Sequence, residues 1–196
     1  MIPEPLSQLF FDVLYVDILE GVTMSNTVLL DSIRNFLDSC FKTTQSRSLK
    51  VNNVIKSGAK LFENESVGSY GTFNVKISNK TKYDTFYKVP WIVFLKEPNK
   101  AEKGIYPLIL ADVKGAMNNN GKLRVDVCYG ISEKFAPSEL WGSNVLSKPK
   151  TLYAEAFPNC RIHKTFYFEN VDEFEIQKET IISAVSEVIN EYNKLF

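Results

Sequence analysis

The spacing of apolar residues changes twice along the chain, from helical to strand-like and back to helical. Residues 6–19 carry apolar side chains at helical spacing, although their β-branched and aromatic content would also suit a strand. A second helical pattern begins after Ser25 or Asn26, either of which can cap a helix. The apolar face of that second helix consists of Leu29, Ile33, Phe36, Leu37 and Cys40. The pattern therefore predicts two helices, separated by a break, before the middle of the chain.

From Val67 onward the pattern is typical of β-strands. Four segments are rich in β-branched and aromatic residues and are separated by turn formers. Their sequences are SYGTFNVKIS, KVPWIVFL, IYPLILADV and KLRVDVCYGI. Three asparagines at 118–120 followed by Gly121 predict a hairpin turn between the last two, because Asn and Gly tolerate a positive φ.

The C-terminal part returns to a helical period, with an apolar stripe at Ile181, Val185, Val188, Tyr192 and Leu195. A stripe of this kind is typical of core packing. We therefore expect an α+β fold, with a mixed central β-sheet flanked by N-terminal and C-terminal helices. Residues 25–196 form the predicted domain. Residues 1–24 are interpreted as an N-terminal extension, and Met24 is a candidate for the natural start.

The net charge of zero hides a strong asymmetry along the chain. Residues 1–41 hold six acidic side chains and one arginine, and residues 165–196 hold seven acidic side chains and two lysines. The remaining central part carries 20 basic and 10 acidic residues, a net charge of +10. A basic centre between acidic flanks indicates that an anionic partner meets the centre, although a solvated lysine surface would give the same count.

Several chemistries have little support in the composition. The three cysteines, Cys40, Cys128 and Cys160, lack CxxC spacing, and His163 is the only histidine. We therefore expect neither a disulfide framework nor a zinc site, and no cofactor. No signal peptide is visible, and residues 6–19 are too short and too acidic to span a membrane. We expect a cytoplasmic protein.

Lysines and aromatic residues alternate between residues 70 and 103, a pattern that favours nucleic-acid binding. Seven lysines in this stretch face only three acidic residues. Lysines near phosphates release counterions, and exposed aromatic side chains stack on bases. Lys80, Lys82 and Lys88 are the candidate phosphate contacts. A buried, purely structural role is the alternative for the aromatic residues, and we accept it for Phe94.

Two other function classes remain open. Asp112 and Lys114 stand at the end of a predicted strand, in the D-x-K half of a Mg²⁺-dependent nuclease site, with Asp84 as a candidate second carboxylate. A three-residue pattern of this kind often occurs by chance. The third possibility is a protein-interaction domain whose basic surface is incidental.

A set of ordered motifs resembles a known family. The chain contains Pro90-Trp91, then Gly104-Ile105-Tyr106-Pro107, then YGIS at 129–132, and a C-terminal helix ending VINEYNKLF. This order is similar to that of the N-terminal domain of McrB, the DNA-recognition part of the McrBC modified-cytosine restriction system. The resemblance covers about residues 25–196, and it implies a bacterial defence protein that is not itself an enzyme.

The resemblance also implies roles for particular residues. Domains of this family bind duplex DNA, turn a methylated cytosine out of the helix and hold it in a pocket. The pocket residues correspond to Trp91, Tyr106 and Leu110, and the tyrosine that enters the DNA corresponds to Tyr83. The implied partners are an AAA+ GTPase motor and a separate nuclease subunit. A methyl group buried against Leu110 would add about 0.8 kcal/mol, roughly a fourfold preference.

The sequence departs from the family pattern at two places. The family's inserting tyrosine lies in a short loop between glycines, whereas SNKTKYDT contains no glycine and is about two residues longer. The segment between Tyr106 and Tyr129 is also longer, through the GAMNNNG region. The first departure bears on the role of Tyr83, and the second provides a segment that can reach DNA or another protein.

Overall fold

The computed structural model describes residues 7–97, 104–132, 141–153 and 156–195, with only the backbone course described for residues 7–26. Its elements are α1 (Ser7–Ser46), α2 (Val51–Lys56), β1 (Glu65–Tyr70), β2 (Phe73–Lys80), β3 (Phe86–Leu95), β4 (Ile105–Ala111), α3 (Val113–Asn118), β5 (Leu123–Ile131), α4 (Ser143–Leu146), β6 (Arg161–Phe168) and α5 (Asp172–Asn193). This order confirms the α+β class.

The six strands form one sheet in the order β1 to β6, and every neighbouring pair is antiparallel. The mixed sheet that we expected is therefore an antiparallel one. The connections from β1 to β5 are short, and parallel neighbours would need crossovers of a dozen residues or more. Strands that follow one another in sequence therefore lie side by side.

The N-terminal region differs from the prediction, because α1 is one continuous helix of 40 residues. Neither Ser25 nor Asn26 caps a second helix, since both lie within α1. The segment contains no proline, and the single Gly21 costs only about 1 kcal/mol in a helix interior. The predicted apolar face from Leu29 to Cys40 is buried, as expected. No helix in the described parts of the chain has the length and hydropathy of a membrane span.

The connection between β4 and β5 is not the tight hairpin that the asparagine run predicted. Asn120 and Gly121 do have positive φ angles, 55° and 86°. However, α3 precedes them, and its Val113 and Ala116 are buried in the main core. The turn chemistry was therefore identified correctly, while the helix before it was missed.

The sheet is apolar on both faces. The main core lies between one face and the helices α1 and α5. A second cluster covers part of the other face and contains Val93, Tyr106, Leu108, Leu110, Cys128, Tyr153 and Cys160. Since Tyr153 and Cys160 come from the segment between α4 and β6, we call residues 147–160 the cover segment.

The end of β2, where the candidate interface begins, is held by the buried side chain of Asn79. Its Oδ1 accepts a hydrogen bond of 2.8 Å from the backbone N–H of Phe62, and its Nδ2 donates one of 3.0 Å to the carbonyl of Lys60. The backbone N–H of Asn79 also donates to the carbonyl of Phe62, at 2.9 Å. These bonds fix the segment before β1 against the strand that leads to Tyr83.

Asn79→Ala is expected to lower the free energy of unfolding by about 2–4 kcal/mol, because it leaves two backbone groups without partners in a buried region. Urea denaturation followed by circular dichroism measures the change. Asn74→Ala is the matched control, since Asn74 is exposed on the same strand and should cost less than about 0.5 kcal/mol. Equal losses for both variants would contradict the assigned role of Asn79.

Candidate nucleic-acid interface

A cavity of about 940 Å³ lies between the start of β3, the start of α3 and the cover segment. This volume is near the upper end of the range for small-molecule pockets, about 300–1,000 Å³. Aromatic residues supply much of its wall, and charged side chains stand among them. The aromatic wall includes Tyr87, Trp91, Tyr153 and Phe157, and the charged side chains are those of Lys88, Asp112 and Lys114.

Trp91 occupies a defined place in the sheet and contributes to the cavity wall. It pairs with Leu110 on β4 and with Ser78 on β2. Because cross-strand partners share a face, Trp91 stands on the same side of the sheet as the second cluster. It packs against that cluster and is only partly buried. The indole therefore presents one part to the protein and another to the cavity.

Tyr106 and Leu110 lie on the same face as Trp91, as strand alternation predicted, but neither lines the cavity. Leu110 is fully buried and Tyr106 is 5% exposed. The Tyr106 ring lies over Gly130, where any Cβ would collide with it. Burial raises the pKa of the Tyr106 hydroxyl. Both residues belong to the buried cluster against which Trp91 packs, and their direct contact with a base remains a prediction.

Tyr83 stands at the tip of the turn between β2 and β3, and its side chain is 75% exposed. The turn is closed by a 2.8 Å bond from the N–H of Thr81 to the carbonyl of Thr85, and by a 2.7 Å bond between their hydroxyls. Asp84 adopts a positive φ of 54°, the conformation that glycines often provide in such loops. Thr81 and Thr85 also line the cavity, so the exposed tyrosine projects beside its mouth.

The three candidate phosphate contacts differ in their surroundings. Lys80 forms ion pairs of 3.0 Å with Glu63 and 3.3 Å with Asp84, which raise its pKa and occupy its charge. Lys82 is exposed and lies over the Tyr83 ring, at 5.0 Å from the centroid. Lys88 is exposed and lines the cavity. Lys82 and Lys88 are thus better placed than Lys80 to meet a phosphate.

The cover segment supplies cavity residues that the sequence did not reveal. Thr151 holds it closed, since its hydroxyl donates to the carbonyl of Phe157 at 2.7 Å and its N–H donates to the carbonyl of Cys160 at 3.1 Å. Tyr153 and Phe157 are joined by a further backbone bond of 2.8 Å. The apolar residues of segment 151–160, TLYAEAFPNC, follow neither a helical nor a strand period. Two aromatic residues in a segment with the pattern of a loop were the one feature that could have indicated a role in the cavity.

Asp112 and Lys114, proposed from sequence only for the nuclease alternative, line the same cavity as Trp91. One carboxylate oxygen of Asp112 accepts a 2.7 Å bond from the N–H of Gly115 and so caps α3. A Cβ at position 115 would collide with that carboxylate. Asp84, the candidate second carboxylate, pairs with Lys80 and is not part of the cavity wall. No group of three metal-binding side chains occurs within the described ranges.

A buried polar network lies beside the cavity on β5 and β6. Asp126 is fully buried and accepts from the Arg124 Nε at 3.0 Å and from the Thr165 hydroxyl at 2.6 Å. The charge of Asp126 helps to raise the pKa of Tyr153, after burial, yet the two side chains form no hydrogen bond of acceptable geometry. The Tyr153 hydroxyl therefore lacks a partner among the described residues, a state that costs about 1–3 kcal/mol.

Gly115→Ala is expected to destabilise the protein by about 1–2 kcal/mol, although alanine normally favours a helix over glycine by about 1 kcal/mol. The reason is that the new Cβ displaces the capping carboxylate of Asp112. In an Asp112→Ala background the same change should be neutral or stabilising. Urea denaturation of the four proteins in this double-mutant cycle measures the coupling. The same cost in both backgrounds would show that the carboxylate is not what excludes a side chain at position 115.

Comparison with known proteins adds no family assignment. No protein-family model matches the chain, and no curated protein matches it significantly.

Proposed function

We propose that the chain is a non-catalytic module that recognises modified cytosine in duplex DNA by turning the base out of the helix. The observation that carries the proposal is the position of Tyr83. It is an exposed aromatic side chain at the tip of a closed turn, and Thr81 and Thr85 at the two ends of that turn line a cavity that also contains Trp91. The side chain that would fill the gap in the duplex, Tyr83, would thus lie next to the cavity that would hold the extruded base.

Base flipping makes two physical demands that these residues meet. The extruded base must regain the stacking that it loses, and the gap in the duplex must be filled. Trp91 and the aromatic side chains of Tyr87 and Phe157 provide flat faces along the cavity. Stacking on an aromatic side chain is worth about 1–3 kcal/mol per base, which offsets much of the unstacking cost of a few kcal/mol.

The arrangement of Tyr106 and Leu110 assigns them a supporting role in this proposal. Both are buried on the same face of the sheet as Trp91, in the cluster against which the indole packs. A fixed indole loses little conformational freedom when a base stacks on it. Selection of a methyl group would then depend on the apolar wall around Trp91 as a whole, and the roughly fourfold preference expected for one buried methyl group still applies.

The charges around the cavity are consistent with a DNA backbone as the partner. Among the described residues, Lys88 and Lys114 form no ion pair, and both are exposed at the cavity. Lys82 lies beside Tyr83 at the tip of the turn. Lys80 instead stabilises the turn through Glu63 and Asp84. We therefore assign phosphate contacts to Lys82, Lys88 and Lys114, and a positioning role to Lys80.

A recognition module of this kind needs partners to act on DNA. The motif resemblance implies an AAA+ GTPase motor and a nuclease subunit, and the proposal places this chain as the specificity element of a bacterial restriction or defence system. The partners would supply cleavage, and the module itself would require no cofactor.

The Mg²⁺-dependent nuclease is the second candidate, because Asp112 and Lys114 share the cavity with Trp91. Two observations weigh against it: the described residues contain no group of three metal-binding side chains, and no acidic residue among them other than Asp112 lines the cavity. Incubation of the chain with plasmid DNA and Mg²⁺ distinguishes the two. Cleavage that is lost in Asp112→Ala would favour the nuclease, whereas no cleavage is expected from a recognition module.

Equilibrium titration against one duplex, prepared with and without a single 5-methylcytosine, tests the proposal. The modified duplex is expected to bind about fourfold more tightly or better, and Trp91→Ala should remove most of that preference. Tyr83→Ala should weaken binding of the modified duplex about tenfold. Tyr167→Ala is the matched control, since Tyr167 is an exposed tyrosine on β6 and should change little. Absence of any DNA binding would favour a protein-interaction domain instead.

Charge reversal tests the phosphate contacts separately. Lys82→Glu and Lys88→Glu should weaken binding of the modified and the unmodified duplex by similar factors. Each should also reduce the slope of the logarithm of the binding constant against the logarithm of salt concentration by about one. Lys178→Glu on α5 is the control, because that helix packs on the opposite face of the sheet. An effect confined to the modified duplex would show that these lysines contact the base and not the backbone.

A further inference from the structure

A polar cleft of about 740 Å³ lies beside the cavity, between the C-terminal end of α1, α3 and the turn that leads into β5. We call it the side cleft, and its polar lining includes Gln45, Arg47, Asn118 and Asn120. Asn118 is the last residue of α3 and lines both the cavity and the side cleft. The two openings are therefore neighbours on either side of α3.

The side cleft lies at the same end of the sheet as the turn that carries Tyr83. Neighbouring strands are antiparallel throughout, so β2 and β4 run in the same direction. The Tyr83 turn follows β2, and α3 follows β4, which places both at one end of the sheet. DNA that meets Tyr83 and the cavity therefore has the side cleft within reach of its flank.

The asparagine run at 118–120 has no role in the function proposed above. All three side chains are exposed and form no hydrogen bond with another described residue. The backbone that carries them is fixed, because the N–H of Gly121 donates to the carbonyl of Ala116 at 2.9 Å. Asparagine amides contact both phosphates and base edges in protein–DNA complexes. The run thus presents a row of amides on a rigid turn.

Arg47 gives the side cleft its charge. The residue directly follows α1, is exposed, and forms no ion pair with another described residue. Glu169 is the other charged residue among the described ones in the lining, and the ammonium group of Lys122 pairs with it at 3.7 Å. The side cleft therefore combines an unpaired guanidinium with unbonded amides. A guanidinium group binds phosphate oxygens particularly well.

We propose that the side cleft is a second DNA contact, in which Arg47 holds a backbone phosphate and Asn118 and Asn120 bind the duplex beside the extruded base. This inference rests on the proposed function and extends its DNA footprint. A helix is about 10 Å across with its side chains, and nucleotides along one strand are spaced by about 3.4 Å. The contact therefore falls about three base pairs from the extruded base, on one side of it only.

Arg47→Asn tests the phosphate contact. Asparagine removes the charge and tolerates the positive φ of 51° at this position. Binding of the modified and the unmodified duplex should weaken alike, about three- to tenfold, in equilibrium titration. The slope of the logarithm of the binding constant against the logarithm of salt concentration should fall by about one. Arg34→Gln is the matched control, since it removes an arginine about 20 Å away along α1 and should change little.

Methylphosphonate linkages locate the contact on the DNA, because each one removes the charge of a single phosphate. They are placed two to four nucleotides from the 5-methylcytosine, on one side at a time. A linkage on one side should weaken wild-type binding about as much as Arg47→Asn does, and should cause no further loss in that variant. If the two losses add at every position, Arg47 does not contact a flanking phosphate, and the inference is overturned.

A double variant, Asn118→Ala with Asn120→Gly, tests the amides. Alanine suits the end of a helix, and glycine keeps the positive φ of 55° at position 120, so the fold should be retained, as circular dichroism can verify. Binding of both duplexes should weaken about three- to tenfold. Asn193→Ala is the matched control, since Asn193 is exposed at the end of α5 and should change little.

The wild-type titration separates the two levels of the proposal. A wild-type chain that prefers the modified duplex, combined with no loss of binding in Arg47→Asn or in the double asparagine variant, would overturn this inference alone. If the wild-type chain binds no duplex, the proposed function fails and this inference fails with it.

Discussion

Burial of β4 on both faces is the constraint on which the rest of the structure depends. All seven of its residues are buried, although antiparallel sheets commonly leave one face to solvent. The helices α1 and α5 cover one face, and among the described residues the other face is covered by the cover segment alone. Because that segment is short, it covers Tyr106, Leu108 and Leu110 but leaves part of Trp91 open. The cavity lies where the cover segment no longer covers the sheet, beside Trp91.

The position of the cover segment is fixed by polar contacts at its edges. The Thr151 hydroxyl closes the segment on itself, and Cys160 at its end is buried against β5. The Arg124–Asp126–Thr165 network lies on the same face of the sheet, in the row that includes Trp91 and Leu110. A buried ion pair contributes little net stability, but loss of either partner is costly. The network thus keeps β5 and β6 in register beside the cavity.

The sequence predicted those features that depend on local patterns. The segments of β2 to β5 and most of the buried faces of α1 and α5 were predicted from the residue pattern, and the continuous apolar run of β4 was recognised as a strand. The strand β6 and most of β1 were missed. Trp91 was proposed as a pocket residue from a motif resemblance and does line the cavity, and alternation correctly placed Tyr106 and Leu110 on one face. What could not be predicted was how much of that face is covered. Burial of Tyr106 and Leu110 depends on the cover segment, whose sequence has no helical or strand periodicity. No local sequence pattern therefore predicts that burial.

The turn that carries Tyr83 is held by polar contacts, without any glycine. The segment has no glycine, yet Asp84 adopts a positive φ and pairs with Lys80, which anchors the turn to the end of β2. The N–H of Val51 also donates to the carbonyl of Asp84, at 3.1 Å, so α2 supports the turn from the other side. Asp84, Lys80 and Val51 thus fix through polar contacts a turn that glycine would otherwise permit through its conformational freedom. If DNA is the partner, as proposed, a turn held in this way would lose little backbone entropy on binding.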